Sequence, residues 1–171
     1  TNLQVRTEVF SFGQYYPIGN PTGEVKRSRY DVGQMFMSSP IEKTPSTVSK
    51  GTNLKDFVFD GITDHLPEIG KPELTFQLIG FNNIAQHTLD TYIGPSQEGL
   101  QPLVQDIVIP LNRPGTREGL QINWDRVSEN GRIVFRVVNK GSDAYPVDYV
   151  SVGYMMLRYP RAINAFGGNK Y

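Results

Sequence analysis

The residues best equipped for chemistry in this chain are Asp60, Asp64, His65 and Glu68, four potential ligands between positions 60 and 68. Carboxylate oxygens spaced along a loop are what Ca²⁺ takes, and an imidazole nitrogen among them would draw the set toward a transition metal. The spacing follows no established metal loop, however, and Gly61 and Pro67 mark the stretch as irregular chain, so a solvated loop is the plainer reading. No cofactor is expected beyond a Ca²⁺ ion that this loop could take. The other histidine, His87, alternates in phase with Leu89 and Ile93. That phase predicts a satisfied histidine at the core or its rim, not a catalytic base.

Nucleophile and nucleotide motifs fail one by one. A serine-hydrolase elbow requires Gly-x-Ser-x-Gly, and the nearest string, Gly94-Pro95-Ser96-Gln97-Glu98, lacks its last glycine. A phosphate-binding loop ending in Gly70-Lys71 would need glycine where His65 stands. Cysteine is absent, which removes disulfides, thiolate zinc sites and a cysteine nucleophile. The carboxylate pairs of glycosidases meet in space and not along the chain, so that chemistry stays open without anything pointing to it.

Aromatic side chains could stack on sugar rings, with Tyr15, Tyr16, Tyr92 and Trp124 as candidates. Trp124 shares its alternation with Leu120 and Ile122 and reads as core. Tyr92 is out of phase with Leu89 and Ile93 and reads as exposed, which makes it the one binding candidate. The basic string Lys26-Arg27-Ser28-Arg29 is most simply a solvated loop.

These residues need elements to hold them, and the elements read as strands. Across 171 residues, 38% are hydrophobic and 20% charged, a balance suited to one globular domain spanning 1–171. The 17 basic and 17 acidic side chains cancel, so the electrostatic footprint for nucleic acid is missing. No run approaches the roughly 18 apolar residues of a membrane span. Alternating or β-branched segments fall at Leu74–Leu78, His87–Ile93, Leu103–Ile109, Leu120–Trp124, Ile133–Val138 and Val150–Tyr159. Weaker signals lie at Leu3–Val9 and Phe57–Phe59, with a hairpin or short loop expected at 128–131. Residues 19–29 and 38–53 read as exposed loops and 162–171 as a flexible exit. With helix minor and 17 Gly and 12 Pro dispersed between strands, the expected fold is an all-β antiparallel sandwich, jelly-roll-like.

From about residue 70 the order of features resembles a known arrangement. An apolar strand ends at Gly80, a His-led strand follows from His87 to Gly94, then comes Gly131-Arg132-Ile133-Val134-Phe135. The chain then runs through Val147-Asp148-Tyr149-Val150 to Tyr159-Pro160-Arg161. This is similar to the β-sandwich that precedes the catalytic domain in gingipain-like cysteine peptidases, including the sortase-like peptidase of the type IX secretion system. Gly94-Pro95 departs from the Asn-Gly that the family often carries after the His-led strand.

The resemblance implies an extracellular or cell-surface protein whose catalytic Cys and His lie beyond Tyr171. Its partners would be a downstream domain of the same chain and other secretion or cell-surface proteins. Asp148 and Tyr149 would fix the entry of a strand, and Tyr159, Pro160 and Arg161 would end the sandwich. The expected function is therefore that of a non-catalytic accessory module, cut from a larger exported protein, that supports or positions a catalytic domain. A carbohydrate-binding or adhesive jelly-roll module is the alternative.

Overall fold

A computed structural model describes residues 3–11, 37–80, 86–110, 114–142 and 144–162. The strands are β1 (Leu3–Ser11), β2 (Ile41–Lys43), β3 (Leu54–Phe59), β4 (Glu73–Gly80), β5 (Gln86–Gly94), β6 (Gln101–Pro110), β7 (Gly115–Gln121), β8 (Ile133–Asn139) and β9 (Asp148–Ala162). They form two antiparallel sheets. One has the order β1-β9-β4-β7, with β2 also paired to β9, and the other has the order β3-β8-β5-β6.

The pairings nest: β1 lies with β9, β3 with β8, β4 with β7, and β5 with β6. The chain is thus one long folded-back ribbon, rolled up so that β9 meets β4 and β8 meets β5. This is the jelly roll that the strand spacing suggested. Most of its ladders join residues far apart in sequence, so pairing alone could not have been read from local pattern.

The core fills the space between the sheets. Leu74, Phe76 and Leu78 of β4 face Ile133, Phe135 and Val137 of β8 within one apolar cluster, and the rings of Phe76 and Phe135 lie 5.0 Å apart. Burying each such side chain contributes about 1.5–3 kcal/mol. β4 is a central strand between β7 and β9, and its outward Thr75 and Gln77 are also buried.

In β9 the inward set changes phase, from Val150 and Val152 to Met155, Leu157 and Tyr159. The cause is a register shift in which Leu78 pairs with Val152 but Gln77 with Tyr154. A bulge of this kind inserts one residue and swaps the faces beyond it. It explains why this segment reads in the sequence as a continuous apolar run and not as an alternation.

Three boundaries differ from the sequence reading. Residues 38–53 are not a plain loop: they carry β2 and a short helix, α1 (Pro45–Lys50). Thr44 and Thr47 form a reciprocal capping box at its start, Pro45 opens the first turn, and Gly51 closes it at φ 65°, a left-handed geometry suited to glycine. No residue of α1 is buried, so no hydrophobic periodicity advertised it. Leu120–Trp124 is not one strand either. β7 ends at Gln121, and Trp124 opens a single 3-10 turn where its indole Nε1 donates to the Gly70 carbonyl at 2.8 Å. Finally, β9 runs through Pro160 to Ala162 instead of stopping before Pro160. Residues 19–29 and 163–171, with Tyr15 and Tyr16, lie outside the described residues.

Candidate functional site

The ligand set of the loop at 60–68 is dispersed. Asp60 pairs with Arg132 Nε at 2.7 Å, and the Asp64 carboxylate lies 3.5 Å from Arg161 Nη2. The His65 ring stacks on Trp124 with centroids 4.4 Å apart, and Glu68 is exposed in the turn that follows. Among the described residues no three His, Asp or Glu side chains gather as a metal-holding group. Two backbone bonds, Leu66 N–H to Pro160 O and Ala162 N–H to Asp64 O, strap this loop along the end of β9.

His87 lies in the interior. Its Nδ1 is 2.6 Å from Asp148 Oδ1, and neither side chain has solvent exposure. The other nitrogen, Nε2, and the second carboxylate oxygen make no hydrogen bond among the described residues. The ring lies against the Gly80 backbone so closely that a Cβ there would fall 2.0 Å from its Cδ2. A catalytic histidine needs its second nitrogen open to a nucleophile or substrate. Here that nitrogen is sealed, so the dyad joins β5 to the start of β9 as a structural contact.

Asn139 completes the corner from β8. Its Nδ2 donates to the carbonyls of Ile41 at 3.0 Å and Asp148 at 3.3 Å, while its Oδ1 accepts from Gly141 N–H. Tyr149 stands opposite Glu42, and its hydroxyl reaches Oε1 at 3.4 Å. Burial, followed by the Glu42 charge, pushes its phenol above the usual value. At the other end Tyr159 is buried, edge-on to Trp124. Asp148 and Tyr149 stand at the start of β9, while Tyr159, Pro160 and Arg161 remain within its ladder against β1, so the strand does not end at them.

Two outer surfaces remain. Across β4, β7 and β9 a groove of about 460 Å³ is lined by Glu73, Thr75, Glu118, Tyr154 and Arg158 among others. Across the other sheet runs a row of one residue from each strand: Asp56 of β3, Arg136 of β8, Tyr92 of β5 and Pro102 of β6. Directly opposed residues of antiparallel strands share a face, and Phe135 and Val137 on either side of Arg136 point into the core, so this row faces outward.

Its geometry is fixed. Arg136 donates from Nε to Asp56 Oδ1 at 2.6 Å and from Nη2 to Asp56 Oδ2 at 2.8 Å, a bidentate fork. Gln97, in the loop between β5 and β6, donates its Nε2 to the same carboxylate at 2.8 Å. The hydrogen bond from Arg136 holds the Asp56 carboxyl below its usual range against the opposing effect of burial. Reciprocally, that bond raises the Arg136 guanidinium, with the charges of Asp56, Glu98 and Tyr92 acting in the same direction.

Tyr92 is half-buried in this row, where the sequence placed it out of phase with the core. Arg136, Asp56 and Gln97 escaped the sequence reading. The alternation around β3 and β8 marks Asp56 and Arg136 as outward, but the two are 80 residues apart and only the ladder brings them together.

The described residues contain no helix long and apolar enough to cross a membrane. No family model, no curated protein and no solved structure matches this chain.

Proposed function

We propose that this chain is a non-catalytic jelly-roll module that acts through its surfaces, supporting or positioning a further domain of an exported protein. One observation carries the reading. The arrangement most like catalytic machinery, His87 with Asp148, has its free nitrogen closed against Gly80 and its carboxylate inside the core. Its chemistry is committed to holding the β5–β9 corner. The gingipain-like parent and the cell-surface location rest on the sequence resemblance of the Asp148 to Arg161 segment.

Two measurements test this. The purified chain, assayed against chromogenic esters, peptides and glycosides, is expected to hydrolyse none of them; turnover abolished by His87→Ala in a folded protein would overturn the non-catalytic reading. The reading frame beyond Tyr171 is expected to enter a peptidase-like segment. A frame without one removes the proposed parent.

A second reading, a carbohydrate-binding or adhesive module, is favoured by the Tyr92 row on the outer face of the β3-β8-β5-β6 sheet.

A further inference from the structure

We infer that the outer face of the β3-β8-β5-β6 sheet binds a neutral pyranose sugar over Tyr92, with Arg136, Asp56 and Gln97 as the hydrogen-bonding margin; the inference rests on the second reading above. A sugar ring presents an apolar face of C–H groups and a rim of hydroxyls. Its receptor therefore needs an aromatic surface beside a few fixed donors and acceptors. Tyr92 supplies the ring, half-buried between Arg136 and Pro102 in the ladder. On the same face Val58, opposite Val134, is 47% exposed and adds an apolar shoulder.

The polar margin is preorganised. Two bonds to Asp56 hold the Arg136 fork in place, so little side-chain freedom is left to lose when a ligand arrives. The remaining guanidinium nitrogen, Nη1, makes no hydrogen bond among the described residues, and the side chain is 26% exposed. Gln97 reaches the same carboxylate from the β5–β6 loop, leaving its amide oxygen as an acceptor. Hydroxyl pairs can use donors and acceptors together, which suits such a mixed margin.

Charge chooses the class of sugar. Asp56 already answers the Arg136 charge, and Glu98 acts electrostatically on the same guanidinium. An incoming uronate, sulfate or phosphate would meet a surplus of negative charge, whereas a neutral ring meets only dipoles and an aromatic face.

The test uses the full chain with soluble neutral glucan, mannan and xylan, and with polygalacturonate as the acidic control, read by affinity electrophoresis and calorimetry. At least one neutral polymer is expected to bind. Tyr92→Ala should weaken that binding about tenfold or more, as loss of a central aromatic anchor does, while Tyr92→Phe retains it. Gln97→Ala should weaken it by a smaller factor. Because Gln97 lies in an exposed loop, that variant reports on the site even if Tyr92→Ala fails to fold. Undiminished binding in the folded variants overturns this site and leaves the carbohydrate reading standing. No neutral polymer bound overturns both, and binding of polygalacturonate alone overturns the neutral class.

Discussion

His87–Asp148 and Arg136–Asp56 are contacts of equal length, 2.6 Å in each case, in different surroundings. The first pair has no exposure on either side chain. In the second, Arg136 is 26% and Asp56 13% exposed. Water cannot replace a lost partner in the interior, whereas at the outer face it can, at least in part. The same contact therefore has two uses. Inside, it specifies which strands meet, and the atoms it leaves over are closed to solvent. Outside, it fixes a guanidinium while leaving one of its nitrogens without a hydrogen bond among the described residues. Length alone says nothing of function here; the medium and the atoms left over do.

The comparison breaks most visibly in the interior. Asp148→Ala strands His87 in an apolar corner and is expected to cost about 3–5 kcal/mol of unfolding free energy, read from denaturant titration. Replacing both residues by leucine should recover much of that loss, since the isolated polar group and not the missing attraction carries most of the cost. A single variant costing under about 1 kcal/mol would mean that the corner relaxes to water and is not sealed. Gly80→Ala attacks the same corner from the other side. Its Cβ would fall 2.0 Å from His87 Cδ2, so an overpacking cost of about 1–3 kcal/mol is expected. Combined with His87→Ala, that cost should largely vanish, and a double-mutant cycle measures the coupling.

At the outer face the effect is smaller. Asp56→Asn is expected to cost about 1 kcal/mol, the scale of a well-formed but partly solvated pair. Acid titration sharpens the point. The folded carboxyl of Asp56 is held below its ordinary value, chiefly by the Arg136 hydrogen bond. A depressed folded value means that the stabilisation is present in full above the unfolded value and is lost as pH falls through the folded one. The stability gap between wild type and Asp56→Asn should thus stay constant from neutral pH down to about 4 and close below it. A gap that closes near neutral pH would assign it to some other group.

How far these sites were legible in the sequence follows from the range of the interactions that build them. The inward phase of His87 and the outward phase of Tyr92 depend only on the period of one strand, and both hold in β5. The partners depend on ladders: Asp148 reaches His87 across 61 residues, and Asp56 reaches Arg136 across 80. No local pattern contains them. Trp124 shows the opposite failure. Its alternation with Leu120 and Ile122 was genuine, but Gly119 at φ 60° kinks β7 and the chain leaves the sheet after Gln121. Trp124 then meets the core from the side, through Tyr159. For α1 the capping box and the closing Gly51 were present as Thr44, Thr47 and Gly51, and only the absent apolar face hid the helix.

The loop at 60–68 provides the lower limit of the comparison. Asp60 and Arg132 meet at 2.7 Å, nearly the same length again, but with 62% and 49% exposure. Solvent screens such a pair on both sides, and holding two long side chains in one geometry costs about as much as the contact contributes. Asp60→Ala is expected to leave the denaturation midpoint unchanged. The same logic applies to Ca²⁺. With Asp60 turned to Arg132, Asp64 to Arg161 and His65 stacked on Trp124, a cation would have to displace two guanidinium partners and gather carboxylates that the loop holds apart. Adding millimolar Ca²⁺ should therefore not move the melting curve. A Ca²⁺-dependent rise that disappears in Asp60→Ala would show that the loop rearranges around a cation and that the arginine pairs are only its resting partners.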